Sequence, residues 1–295
     1  MCDDFTAQAE ADHLAARGLD RRTFAARSAA LGASMTLAGC TGAVAASGGG
    51  KSLTEKMVSI TTTDGVCDAF FVHPGKGAHP GIVMWPDIAG LREVKKIMAR
   101  SLAAQGYAVL VVNPYYRAGP APIMKSFAEF RTPEGQAKVA PMRAALTPDA
   151  VTRDATAFVA FLDGDDAVDK TRGIGSNGYC MGGPFTVRTA AAVPARVKAA
   201  ASLHGAGLVT DAPDSPHRLL ASTKASYLFA IARNDDAKQP EQKTELTKAA
   251  EAAGRPARVE VYAADHGWTV ADSPAYDPDE ADRAWQHMLA LFAKL

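Results

Sequence analysis

Two short, uninterrupted apolar runs constrain this chain more than any other feature. Gly81-Ile82-Val83-Met84-Trp85 and Tyr107-Ala108-Val109-Leu110-Val111-Val112 are too short to cross a membrane and too apolar to have one face in water. Between them, residues 92–105 repeat their apolar positions at helical spacing and stop at Gly106. A buried strand, a helix and a second buried strand form a βαβ unit, and such a unit requires a parallel sheet with helices covering it. The same rhythm recurs downstream. Strands are expected over 171–177, 197–203, 226–231 and 258–263. Helices are expected over 147–162, 184–192, 240–253 and 278–293. Thr147 followed by Pro148 is a helix start, and Gly254 followed by Pro256 is a helix stop. Upstream, residues 57–62 and 66–72 flank Asp64-Gly65 and read as a hairpin.

Residues 113–147 interrupt this rhythm. Pro114, Pro120, Pro122, Pro133 and Pro141 punctuate the segment, and Tyr115, Tyr116, Phe127 and Phe130 lie within it. A long irregular excursion inside an α/β domain is expected to act as a lid or binding loop. With 47% hydrophobic residues and no internal repeat, residues 53–295 read as one α/β domain, a mostly parallel central sheet with helices on both faces.

Residues 1–52 read differently. Arg21-Arg22-Thr23-Phe24 followed by an Ala-, Gly- and Ser-rich stretch from Ser28 to Ala46 resembles a twin-arginine export signal. Leu37-Ala38-Gly39-Cys40 resembles a lipobox, which would lipidate Cys40 and leave the protein anchored to a bacterial membrane. Cleavage after Ala43-Val44-Ala45-Ala46 would instead release a free periplasmic protein. Ser47-Gly48-Gly49-Gly50 reads as a flexible tether. Past this leader no apolar run is long enough to span a bilayer, so membrane contact is expected only through the lipid anchor. Lys and Arg (32) balance Asp and Glu (32), which argues against nucleic acid as a partner because phosphate binding needs surplus cations.

The chemistry is expected at Gly178-Tyr179-Cys180-Met181-Gly182-Gly183, between a strand and a helix. This is the setting of a nucleophile elbow, with Cys where Ser is commoner. The bend lifts Cys180 above the sheet edge, and the adjoining helix start favours a thiolate. The N–H of Met181 is then placed as an oxyanion donor. A nucleophile needs a base, and the base needs an orienting acid. Asn234-Asp235-Asp236 follows one late strand and Asp265-His266-Gly267-Trp268 follows the last, so Cys180, Asp235 and His266 stand in hydrolase order. Asp236 is a rival to Asp235.

With these pieces, and with Met84-Trp85-Pro86-Asp87-Ile88-Ala89-Gly90-Leu91-Arg92, the body resembles the dienelactone hydrolase family, the carboxymethylenebutenolidases, across residues 55–295. The resemblance implies an α/β-hydrolase fold and hydrolysis of a small ester or lactone without metal or organic cofactor. In it Cys180 is the nucleophile, His266 the base, Asp235 its orienter, and the N–H groups of Met181 and Ile88 the oxyanion hole. It also implies that the carboxyl at Asp87, often Glu in the family, holds the resting thiol; the local alternative is that Asp87 caps the helix near Arg92. Val270 stands where the best-studied branch has an Arg that grips a substrate carboxylate. Arg117, Arg131 and Arg143 are the available replacements, and without one an uncharged ester or lactone is the better expectation.

Trp85, Tyr115, Tyr116, His204 and Trp268 are candidates to line the substrate pocket, with core packing the default reading for Trp85 and Trp268 and an ordinary loop histidine the alternative for His204. Cys67 reads as a small core residue, Cys2 as lost with the leader, and His73 and His79 as lacking a third metal ligand. The reading from another class is a thiol-based redox or ligand-binding protein that keeps the bend without hydrolysis.

Overall fold

The computed structural model describes residues 52–295. The export motif, the lipobox at Cys40 and the tether lie outside the described residues. The order of elements opens with two strands, β1 (Leu53–Thr62) and β2 (Gly65–Pro74), joined at Asp64-Gly65, then β3 (Gly81–Trp85), α1 (Glu93–Ala104) and β4 (Ala108–Val112). After a long crossover come α2 (Phe127–Arg131), α3 (Pro133–Ala144) and α4 (Pro148–Gly164). The chain then alternates through β5 (Ile174–Tyr179), α5 (Gly183–Ala192), β6 (Val197–Leu203), α6 (Pro216–Leu219), β7 (Ser226–Ala232), α7 (Arg233–Lys238), α8 (Gln242–Ala252), β8 (Ala257–Tyr262) and α9 (Pro278–Phe292).

The eight strands of the described residues form one sheet, in the order β1-β2-β4-β3-β5-β6-β7-β8. The pairings of β1 with β2 and of β2 with β4 are antiparallel and the others are parallel. The five residues of β3 and of β4 are buried throughout, as strands covered on both faces must be. One face is covered by α1 and α9, through Met98, Leu102, Met288 and Phe292. On the other face α4, α5 and α8 supply Phe158, Leu162, Val187 and Leu246. This is the α/β-hydrolase fold.

The order places β4 on one side of β3 and β5 on the other, so chain direction across the sheet reverses at β3. Crevices at the carboxyl edge open at such a reversal. Trp85 pairs with Gly178, which brings the segment after β3 beside the bend after β5.

The irregular excursion expected over 113–147 holds more order than its prolines imply. Ser126 accepts a hydrogen bond from the Glu129 N–H and starts α2; Thr132 accepts one from the Gly135 N–H and starts α3, with Pro133 at the first helical position. A proline there opens a helix instead of breaking it. Neither helix presents much to the core. Only Gly135 and Val139 of α3 are buried and no residue of α2 is, so the apolar stripe that normally betrays a helix is missing.

Candidate active site

Strand β5 is buried along its whole length and ends at Tyr179; Cys180–Gly182 form a single 3-10 turn, and α5 follows. The turn is tight because neighbouring backbone leaves no room for side chains. A Cβ on Gly178 would lie 2.0 Å from the Gly182 carbonyl oxygen, and one on Gly182 would lie 2.6 Å from the carbonyl oxygens of Trp85 and Pro86. Cys180 itself adopts φ +51°. A non-glycine residue in this region stores about 1–3 kcal/mol of strain, which the surrounding packing must hold.

The structure brings Cys180, His266 and Asp235 together. His266 Nδ1 lies 2.5 Å from Asp235 Oδ2, and the Cys180 side chain is close enough to act on the ring's protonation. Burial disfavours a charged His266, but Asp235 and Cys180 outweigh it and push its pKa up to about 10. The His266 loop is fastened to α7 by its own backbone N–H, which donates to Asn234 Oδ1 at 2.9 Å. Asp235 sits in the first turn of α7. Its rival Asp236 turns away and bonds Lys243 Nζ at 2.7 and 2.8 Å. The sequence offered both carboxylates; the direction of a helical turn separates them.

Ile88 follows β3 across from the bend. Its N–H finds no acceptor among the described residues, and its carbonyl accepts a 2.8 Å bond from Tyr115 Oη, which also reaches Met181 Sδ at 3.4 Å. Tyr115 therefore bridges the Ile88 peptide and the Met181 side chain, the two residues expected to form an oxyanion hole. Burial raises its hydroxyl pKa, so it stays a donor.

Asp87 is not available to the thiol, a correction to the expectation from its sequence position. Its Oδ1 accepts from Arg92 Nη1 at 2.7 Å and from the Ala89 N–H at 3.0 Å; its Oδ2 accepts from Arg92 Nη2 at 3.1 Å and lies 2.7 Å from Lys95 Nζ. Burial alone would raise its pKa, but Arg92 and Lys95 hold it well below the usual carboxylate range. Nor does Asp87 cap α1, where Arg92 occupies the N-cap position without a side-chain cap. Arg92 in turn grips Asp272 through Nε and Nη2, both at 2.7 Å, and Asp272 Oδ2 accepts the Phe127 N–H of α2 at 3.2 Å. This largely buried cluster of two acids and two bases ties the Ile88 segment to α2. Arg92 and Asp272 are 180 residues apart, and no local signal in the sequence links them.

The pocket candidates divide. Tyr115 lies at the site, as above. Trp85 is buried, donates from Nε1 to Thr189 Oγ1 at 2.9 Å and meets Phe158 and Phe185 edge-on, so it fills the core. Tyr116 is buried against Asp154 and Thr62, away from the bend. Trp268 is buried beneath the site, stacked on Tyr262. His204 lies under the site, 1% exposed, instead of lining a pocket. Arg117 is spent on Asp64 and Asp154. Arg143 is near enough to influence the Tyr115 hydroxyl. Cys67 is buried in β2, where burial pushes its thiol pKa upward.

Residues 67–295 match the dienelactone hydrolase family. The chain belongs to that family. It is 30% identical over 277 residues to a proposed carboxymethylenebutenolidase of Methylorubrum extorquens, covering 92% of this chain and 91% of that protein. A crystal structure of a proposed dienelactone hydrolase from Klebsiella pneumoniae superposes with a TM-score of 0.70 at 24% identity, covering 83% of this chain and 100% of the other. A dienelactone hydrolase-like promiscuous phosphotriesterase from metagenomic libraries gives 0.64 at 23% identity, covering 82% and 98%. As a member of this family the chain is an ester or lactone hydrolase acting on a small molecule.

Proposed function

We propose that this hydrolase works through a Cys180–His266–Asp235 triad and an acyl-thioester intermediate. The observation that carries the reading is Cys180, held at φ +51° at the end of β5, near enough to act on the ring of His266, whose Nδ1 is fixed 2.5 Å from Asp235. His266, oriented by Asp235, takes the proton of the Cys180 thiol as the sulfur becomes nucleophilic. The thiolate adds to the substrate carbonyl carbon. The oxygen that becomes negative is stabilised by the N–H groups of Met181 and Ile88. As the carbon–oxygen bond to the leaving group breaks, His266 gives that oxygen its proton and becomes neutral. It then takes a proton from water, whose oxygen adds to the thioester, and collapse expels the thiolate with the acid product.

An uncharged acyl group is the expectation of this reading, with Arg143, near the Tyr115 hydroxyl, as the cation a charged one would have to use. Val270 is buried where a carboxylate clamp would stand, and Arg117 is committed elsewhere. The leader motif supports export, with Cys40 as the lipidated residue or Ala46 as the last one removed; the mass of the mature N-terminus separates the two.

The test is a screen of p-nitrophenyl esters and simple lactones with wild type and Cys180→Ala, together with mass spectrometry of the acid-quenched reaction. The expected result is an acyl adduct on the Cys180 peptide and loss of turnover in a variant that melts like wild type. Turnover retained by folded Cys180→Ala would overturn the triad.

A further inference from the structure

His204 has the second positive φ among non-glycine residues of the described chain, +42°, directly beyond β6. The first belongs to Cys180, and the two strained residues are joined. The Cys180 N–H donates to His204 Nδ1 at 3.1 Å, while His204 Nε2 lies 2.9 Å from Thr269 Oγ1. The ring also stands edge-on to His266, with centroids 4.9 Å apart and planes at 63°. One buried imidazole therefore contacts both members of the thiol–imidazole pair from below.

We propose that His204 is a positioning residue for the reaction: its Nδ1 lone pair fixes the backbone of Cys180 in the strained bend, and its ring edge fixes the plane of His266. The inference rests on the reading of Cys180 as nucleophile. The hydrogen bonds define the tautomer. Nδ1 accepts, so the proton sits on Nε2 and is donated to Thr269 Oγ1. A protonated ring would turn an N–H toward the Cys180 N–H and place a second cation against imidazolium His266. Burial opposes that state, and the pKa of His204 lies well below its ordinary value. The groups whose charge reaches the ring are His266, Lys95 and Asp87. Satisfying the Cys180 N–H in this way also leaves the next N–H, that of Met181, as the one directed at the developing oxyanion.

The experiment uses the full chain, p-nitrophenyl acetate as substrate and iodoacetamide as a probe of Cys180, with the alkylated peptide followed by mass spectrometry. Cys67 is buried and serves as the unreactive internal control. His204→Phe keeps a ring beside His266 but removes the acceptor. Its kcat is expected to fall roughly 10- to 100-fold, the consequence of leaving a buried donor unpaired. KM should change little, and Cys180 alkylation should slow at fixed pH. His204→Asn places an oxygen near the position of Nδ1 and tolerates positive φ, so it should recover most of both losses.

A folded His204→Phe with wild-type kcat and alkylation rate would overturn the positioning role. A fall in melting temperature with both rates unchanged would do the same, because it marks a purely structural residue. If His204→Phe does not fold, His204→Asn decides. Folded and active, it supports the proposal; folded and as inactive as Cys180→Ala, it refutes it. Cys180→Ala distinguishes the two layers: activity retained there removes the nucleophile, whereas activity lost there but kept in His204→Phe removes only the role of His204.

Discussion

Replacing Arg92 by Met tests whether the buried charge cluster is a structural requirement of the site. Arg92 is 1% exposed and donates two hydrogen bonds to Asp87 and two to Asp272, three of the four at 2.7 Å. The cluster is neutral as it stands, with Asp87 and Asp272 facing Arg92 and Lys95. Methionine keeps much of the volume but leaves one uncompensated negative charge in the interior. Removing one partner of a buried pair costs about 3–5 kcal/mol, a large part of a total stability of about 5–15 kcal/mol. For a domain of this size the loss corresponds to a fall in Tm of roughly 6–20 °C. Adding Asp272→Asn to Arg92→Met restores neutrality, so the double variant should be more stable than the single by an interaction of about 0.5–3 kcal/mol. Thermal and urea unfolding read both changes. Because the same cluster anchors the segment carrying Ile88, kcat should fall in the single variant. A loss below about 1 kcal/mol, as for an exposed pair, or a double variant no better than the single, would refute the argument.

Two further predictions concern the triad. Asp235→Asn should lower kcat by about 10²–10⁴-fold because His266 loses the acceptor that orients its ring. Asp236→Asn, which breaks only the partly exposed pair with Lys243, should leave kcat near wild type, and steady-state kinetics of the two variants decide the assignment. Stability should also depend on pH through His266, whose pKa rises from 6.5 to about 10 on folding. The folded chain then binds more protons than the unfolded chain across that interval. The stabilisation is complete below pH 6.5 and is lost as pH rises through 10. Urea unfolding across that range should show the decline, and it should flatten in Asp235→Asn; an equal slope in both proteins would place its origin elsewhere.

Much of the sheet is legible because β3, β4 and β7 are apolar runs bounded by turn residues. The sequence pattern expects the strand before the bend over 171–177; the structure has it at Ile174–Tyr179. Ser176 and Asn177 interrupt its apolar character; their polar atoms are nevertheless buried, with Ser176 Oγ donating to the Val83 carbonyl at 3.1 Å and Asn177 Nδ2 to Tyr179 Oη at 3.0 Å. The helices α2 and α3 are hard to read in sequence because no residue of α2 and only Gly135 and Val139 of α3 are fully buried, with Phe127, Phe130 and Met142 packed partly against the core. Tyr116 adjoins Tyr115 in the excursion yet turns to Asp154, and Trp85 fills the core as its default reading has it, because position in the chain says nothing about the face on which a side chain emerges.

The sequence by itself determined the alternation of strands and helices, the glycines that permit a bend at Cys180, and the order in which Cys180, Asp235 and His266 reach one edge of the sheet. Those are local properties: periodicity, turn chemistry and the span from strand to strand. Tertiary structure alone decided that Asp235 and not Asp236 meets His266, that Asp87 is held by Arg92 and Lys95, and that His204 lies beneath Cys180. Each of these choices depends on distances and directions between segments far apart in the chain, set by strand order and helix packing, and no short window of residues encodes them.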